Sequence, residues 1–204
     1  MQSDYFVNHD KARRFPWTLY HKPLERDLAR FLGDVSGTVL VVGCGLLHEL
    51  DVAPPGVRFV VADIDRRAVD AVLSRNDPRI VEGIVVEPEH ALEFHHRFDA
   101  IYAKEVVEHV LAWPSWLAGL RRSLVSGGRL WLSTPNYGEP WLAAVESTVL
   151  ELIARRDGFS RRDIHPTRFS KRTLARGLKS AGFVDVKTAV TPTRLAITAW
   201  AIAP

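Results

Sequence analysis

Thr38-Val39-Leu40-Val41-Val42-Gly43-Cys44-Gly45-Leu46-Leu47-His48-Glu49-Leu50 reads as a buried strand, a glycine turn and the start of a helix. An uncharged aliphatic run of this kind suits a strand covered on both faces of a parallel sheet. Glycines at a strand-to-helix turn allow a ligand to approach the backbone and leave N–H groups free at the helix start. A second apolar run, Phe59-Val60-Val61-Ala62, ends at Asp63. A carboxylate at the end of the neighbouring strand is where a nucleoside ribose is held in open α/β sheets.

Outward from this stretch the chain alternates between strand and helix patterns. Leu24, Leu28, Phe31 and Leu32 mark an amphipathic helix before the first strand, with Pro23 near its start and Gly33 at its end. A helix over roughly 45–52 is expected after the glycine turn, and Pro54-Pro55-Gly56 then forces a turn. Strands are expected at 57–63, 80–86, 98–102 and 129–133. Ala68, Val69, Val72 and Leu73 mark a helix between the first two of these, and Trp116, Leu117, Leu120 and Leu124 mark one before the last, ended by Gly127-Gly128. Glu105 to Leu111 reads as a short helix. Residues 140–156 read as an inserted amphipathic helix, followed by an Arg-rich loop at 157–169. Ser170 is placed to cap a helix over 171–181, with Gly182 after it. The strands at 184–190 and 195–202 lie too close together for a crossover helix and therefore form an antiparallel hairpin.

At 204 residues this is the length of one α/β domain, with an N-terminal arm at 1–22 and an insertion at 139–169. No apolar run approaches the ~20 residues of a membrane helix, and the N-terminus lacks the order of a signal peptide. The single cysteine, Cys44, excludes an intrachain disulfide framework and fits a reducing cytoplasm. Lying between two glycines with no helper residue evident, it reads as a small packing residue. A net charge of +3 is too small to mark a nucleic-acid binder. The positive charge is local: Arg155, Arg156, Arg161, Arg162, Arg168, Lys171, Arg172 and Arg176 are opposed over that stretch only by Asp157 and Asp163. That run is either a solvated surface or a rim that attracts an anionic acceptor.

A dinucleotide enzyme would carry G-x-G-x-x-G, but His48 stands at its third glycine. The chain instead resembles the class I S-adenosylmethionine-dependent methyltransferases, in the group containing the ubiquinone-biosynthesis O-methyltransferases and methyltransferase types 11 and 23. The resemblance is carried by 39–45, 60–63, 98–110 and 124–136, and spans roughly residues 24–202. It implies a Rossmann-like, seven-stranded, mostly parallel sheet with an antiparallel final strand and helices on both faces. It also implies S-adenosylmethionine as cofactor, lined by Val42, Gly43, Cys44, Gly45, Asp63, Ile64, Glu87, Ala103 and Lys104. Asp63 matches the ribose acid and Glu87 the acid near the adenine amine. The family's acidic-x-G-x-G-x-G pattern is kept at Gly43 and Gly45 and departed from at Val41 and Leu47.

The acceptor end is expected after the fourth strand. Glu105, Glu108 and His109 share a face if the segment is helical, and they lie where ligands of open sheets bind. The segment is similar to the metal-binding segment of two branches of the family, the ubiquinone type and the small-RNA 2′-O-methyltransferases. In the RNA branch Thr134-Pro135-Asn136 and His165 also find matches. The resemblance thus implies a divalent metal at Glu105, Glu108, His109 and His165, with Glu105, His109 and His165 in catalytic roles. A direct acid–base or acceptor-positioning role for the histidines and a structural role stand beside it. His95-His96 reads as a surface pair, while His9 and His21 belong to the arm. Trp113, Trp131 and Trp141 read as core or lid. The expected reaction is methylation of a small-molecule oxygen. An RNA 2′-O-methyltransferase and a non-catalytic binding protein of the same fold are the alternatives.

Overall fold

A computed structural model describes residues 15, 17–87, 94, 97–141, 148, 151 and 165–204. The expectations placed on most of the 1–22 arm, with His9, on His95-His96, Arg155, Arg156, Arg161 and Arg162, and on most of the 140–156 helix, lie outside the described residues.

The elements follow the alternation read from the sequence: α1 (Thr18–Gly33), β1 (Gly37–Val42), β2 (Val57–Asp63), α2 (Arg66–Leu73), β3 (Ile80–Val85), β4 (Phe98–Lys104), α3 (Trp113–Ser123), β5 (Leu124–Pro135), α4 (Lys171–Ser180), β6 (Val184–Val190) and β7 (Ala196–Ile202). The seven strands form one sheet in the order β3-β2-β1-β4-β5-β7-β6. β1 to β5 pair in parallel, and β7 runs antiparallel to both β5 and β6. The order reverses between β1 and β4, which pair from Val39↔Ala100 to Val42↔Ala103. A crevice therefore opens beyond the carboxyl ends of these two strands.

Alternation along β1 explains its apolar run. Val39 and Val41 face one core layer with Leu28, Phe31 and Leu32 of α1 and Val69 and Val72 of α2. Leu40 and Val42 face the other, with Leu117 and Leu120 of α3 and Leu174 and Leu178 of α4. Both faces are dry, so every residue of the run is apolar.

Local structure departs from the sequence expectation at four places. Residues 45–52 do not make an α-helix. Leu47 adopts left-handed backbone angles, φ 48° and ψ 51°, and only a short 3₁₀ turn, His48–Val52, follows. Glu105 also has positive φ, 59°, which breaks the helix expected over Glu105 to Leu111 and leaves a 3₁₀ turn at Val107–His109. α1 begins at Thr18, so Pro23 lies inside it rather than near its start; the N–H groups of Tyr20 and His21 both reach the Trp17 carbonyl at 3.0 Å and extend the helix backwards. α3 ends at Ser123 and β5 begins at Leu124, because Gly127 N–H and Gly128 C=O pair with Ala203 and draw the glycines into the sheet. The Ser170 cap is present as a full capping box with Thr173.

Candidate functional site

The glycine turn is bonded to its neighbouring strand. Gly43 and Cys44 N–H groups donate to the Ala62 carbonyl at 2.8 and 3.2 Å. Gly43 (φ 71°) and Gly45 (φ 48°) both need the left-handed region. Val106 packs so close to Gly43 that a Cβ there would collide with its methyl group. Asp63 accepts from Gly45 N–H on Oδ2 and from Asp65 N–H on Oδ1, each at 3.0 Å. Each carboxylate oxygen keeps a lone pair for a further donor. Arg75 holds the far side of the turn, donating to the Leu47 carbonyl at 2.9 Å and to Asp51 at 2.8 Å. Cys44 is buried, and burial together with the Asp63 charge raises its thiol far above the ordinary value, so it stays protonated.

Val41, at the acidic position of the family pattern, is sealed in the core. A different carboxylate lies on that side. Glu49, from the 3₁₀ turn, is 7% exposed and forms an ion pair with Lys104 at the end of β4. Burial works to raise the Glu49 carboxyl, but the Lys104 ammonium overrides it, and the net shift is downward. Glu49 and Cys44 both act on the fully buried Tyr102 phenol, whose ionisation burial, first of all, pushes well up. Among the described residues the Tyr102 hydroxyl has no hydrogen-bond partner.

Glu105 is held away from the helical face expected for it. Its Oε1 accepts from Ser133 Oγ at 2.7 Å, and its own N–H donates to the same Oγ at 3.1 Å. Oε2 accepts from Tyr20 of α1. The strained φ of Glu105 is thus fixed from two elements.

Glu108, His109 and His165 come together, with one ligand atom from each lying within 4.8 Å of the others. Glu108 is 1% exposed and His165 8%. The imidazoles of His109 and His165 meet edge to face, 4.8 Å between centroids. Tyr137 is 2.7 Å from His165 Nδ1 through its hydroxyl. The segment carrying His165 is stitched to the 3₁₀ turn: Thr167 N–H donates to the Glu108 carbonyl and Thr167 Oγ1 to that of Val110, each at 3.2 Å. Tyr137 N–H reaches the Phe169 carbonyl at 2.9 Å. Asn136 works inside the fold, its N–H donating to the Leu195 carbonyl and its Nδ2 to that of Arg194.

Of the four residues matched to a metal set, three converge and Glu105 belongs to the neighbouring Tyr20–Ser133 group. Val42, Ala103 and Lys104 stand side by side at the ends of β1 and β4. Ile64, next to Asp63, is 62% exposed, and Glu87 is exposed just past β3. Trp131 is core, Trp113 packs on Phe169, and Trp141 is exposed. Arg168, Lys171, Arg172 and Arg176 are all exposed. Sequence reasoning missed Tyr20, Glu49, Ser133 and Tyr137. Each meets its partner only through the fold, as Tyr20 meets Glu105 across 85 positions.

A glycine turn at the switch point, with an acid ending the next strand, is a nucleoside-cofactor site. The family described as "Methyltransferase domain" matches residues 17–188. No curated protein matches the chain. Among solved structures, it is similar to the Haloferax volcanii protein determined in complex with the Trm112 methyltransferase activator (TM-score 0.72, 15% identity, 100% of this chain and 99% of that one). It is likewise similar to magnesium protoporphyrin IX methyltransferase from Synechocystis PCC 6803 with bound S-adenosylhomocysteine (0.69, 17%, 99% and 98%). A third similar structure is the N-methyltransferase NodS of Bradyrhizobium japonicum WM9, also with S-adenosylhomocysteine (0.66, 16%, 98% and 94%). At these identities the structures bear on the fold. The family match covers most of the chain, and with the turn and sheet order it identifies the protein as a member of the methyltransferase-domain family, an S-adenosylmethionine-dependent methyltransferase.

Proposed function

We propose that the chain transfers the methyl group of S-adenosylmethionine to an oxygen of a small-molecule acceptor at the carboxyl ends of β4 and β5. In this reading Asp63 holds the ribose hydroxyls with its remaining lone pairs. Ile64 offers its exposed face to the adenine, Glu87 meets the adenine amine, and Val42, Gly43, Cys44, Gly45 and Ala103 line the cofactor with backbone. Lys104 meets the cofactor's charged end.

The observation that carries the acceptor side is the meeting of His109, His165 and buried Glu108, one short turn from Val106 on the glycine turn. The acceptor oxygen forms a bond to the methyl carbon as the carbon–sulfur bond breaks, and the electron pair returns to sulfur. An acceptor hydroxyl must lose its proton in doing so, and a positioned imidazole takes it. Tyr137 sets which nitrogen of His165 is available. When Nδ1–H donates to the Tyr137 oxygen, Nε2 carries the lone pair of a base. Alignment of the two reactants supplies much of the remaining acceleration.

The same donors suit a divalent ion of intermediate softness, one carboxylate and two imidazoles. Glu108, His109 and His165 would hold it, and a bound ion lowers the pKa of an acceptor hydroxyl. Glu105, bonded to Ser133 and Tyr20, orients the acceptor rather than the ion.

The test supplies methyl-deuterated S-adenosylmethionine with phenols, hydroxy acids, carboxylates, amines and a short RNA, and reads products by mass spectrometry. The reading expects label on an oxygen of a small molecule, and a fall of about 100-fold or more in His165→Ala, the scale of a lost general base. Label on RNA alone, or on amines alone, overturns it. Dialysis against a chelator followed by Mn²⁺ or Zn²⁺ separates the metal-assisted from the metal-free form.

A further inference from the structure

The Glu49–Lys104 ion pair adds a pair of opposite charges to the crevice that Asp63 borders, and its placement is specific. Val41 and Tyr102 are register partners across β1 and β4. The Glu49 carboxylate is ion-paired with Lys104, just beyond that rung. Lys104 is two residues beyond Tyr102 on the same strand and the same face. The pair thus lies at the β4 side of the crevice, with Asp63 on the β2 side. A nucleoside whose ribose sits at Asp63 brings its 5′ substituent to the glycine turn, and β4 flanks that turn on the other side. In S-adenosylmethionine that substituent ends in an α-ammonium and an α-carboxylate.

We propose that Glu49 and Lys104 form a zwitterion-exchange site for the amino-acid end of the cofactor. The α-ammonium takes Glu49, the α-carboxylate takes the Lys104 ammonium, and the protein pair opens as the two new pairs form. The exchange conserves charge: one pair of opposite charges becomes two, and no buried group is left alone, which is the condition for ion pairs out of water to form at low cost. Glu49 is suited to it because Lys104 keeps it ionised despite burial. The inference rests on the cofactor reading of Gly43 to Asp63 and adds two specificity-determining residues to it.

Calorimetric titration with three ligands tests it: S-adenosylmethionine, its decarboxylated form, and methylthioadenosine, which lacks the whole amino-acid end. Glu49→Gln should weaken S-adenosylmethionine and the decarboxylated form about 10-fold or more, the scale of a charge-assisted contact, and leave methylthioadenosine unchanged. Lys104→Met should weaken S-adenosylmethionine alone, because the decarboxylated ligand brings an ammonium to Glu49 and no carboxylate to Lys104. Equal losses on all three ligands, or none, overturn the exchange while leaving the nucleoside site standing. Failure of the unaltered protein to bind even methylthioadenosine overturns the cofactor reading and the exchange with it. A structure of the unaltered chain with S-adenosylhomocysteine decides the matter independently of how the variants fold. Lys104 should then face the ligand carboxylate, and an intact Glu49–Lys104 pair with the amino-acid end elsewhere contradicts the proposal.

Discussion

Tyr20, in the first turn of α1, donates its hydroxyl to Glu105 at the end of β4, and so ties the N-terminal helix to the strand that faces the cofactor turn. Glu105 is in a left-handed conformation that a glutamate rarely adopts. Two side chains hold its carboxylate there, Tyr20 on one oxygen and Ser133 on the other. Tyr20→Phe should cost about 1.5–3 kcal/mol in urea unfolding, the scale of a hydrogen bond to a charged group. It should raise KM for the acceptor more than it lowers kcat, because Tyr20 positions Glu105 and transfers no proton itself. A fall in kcat alone would speak against that role.

Asp27 is the second anchor of α1. Its Oδ2 accepts from the indole N–H groups of both Trp131 and Trp200, at 2.9 and 3.0 Å. Trp131 is fully buried. Asp27→Ala leaves its donor without an acceptor and should cost about 2–4 kcal/mol. Asp27→Asn keeps one carbonyl oxygen in place and should cost less than half as much. The ratio of the two losses, read from urea midpoints, separates a hydrogen-bonding role from simple packing.

Leu47 sets strain against burial. Its backbone is left-handed, where glycine would be free and leucine pays about 1 kcal/mol. Its side chain is 1% exposed, and removing a buried leucine costs about 2–5 kcal/mol. Burial wins by magnitude, so Leu47→Gly should lower stability even though it restores the family's third glycine. A rise in the unfolding midpoint would show that the turn, not the core, limits this region.

The Glu49–Lys104 pair gives stability a defined pH dependence. The Glu49 carboxyl in the folded chain lies below its ordinary value of 4.5. A depressed acid stabilises the fold at pH above the unfolded value and loses that contribution as pH falls through the folded one. The stability difference between the unaltered chain and Glu49→Gln should therefore be constant from pH 6 to 8 and shrink progressively below 4.5. Constancy down to the acid limit of folding would contradict the ion pair.

What the sequence made legible was local. The β1 run, the glycine turn, Asp63 and the Ser170 cap each announce themselves within a few residues, through apolar alternation, left-handed conformations and capping chemistry. The segment after β4 was half legible. Its acid and histidine types were readable, but the Glu105-to-His109 spacing implied one helical face. A single positive φ at Glu105 instead sends its carboxylate to Ser133 and leaves Glu108 and His109 to meet His165. Nothing adjacent to Glu105 encodes that, since its partners come from α1 and β5. Lys104 was legible as part of the cofactor lining, but its carboxylate lay 55 positions earlier in a turn that read as helix. Long-range pairs of this kind are set by strand order and register, which appear only once the sheet is assembled.

The central claim is that the crevice between β1, β2 and β4 binds S-adenosylmethionine, with Asp63 on its ribose. Calorimetric titration of S-adenosylhomocysteine into the unaltered chain and into Asp63→Ala measures this most directly. The account predicts saturable one-to-one binding in the first, and an affinity at least about 10-fold weaker in the second, the scale of charge-assisted hydrogen bonds. No heat of binding to the unaltered, folded chain at millimolar ligand, or equal affinity in both proteins, would contradict it.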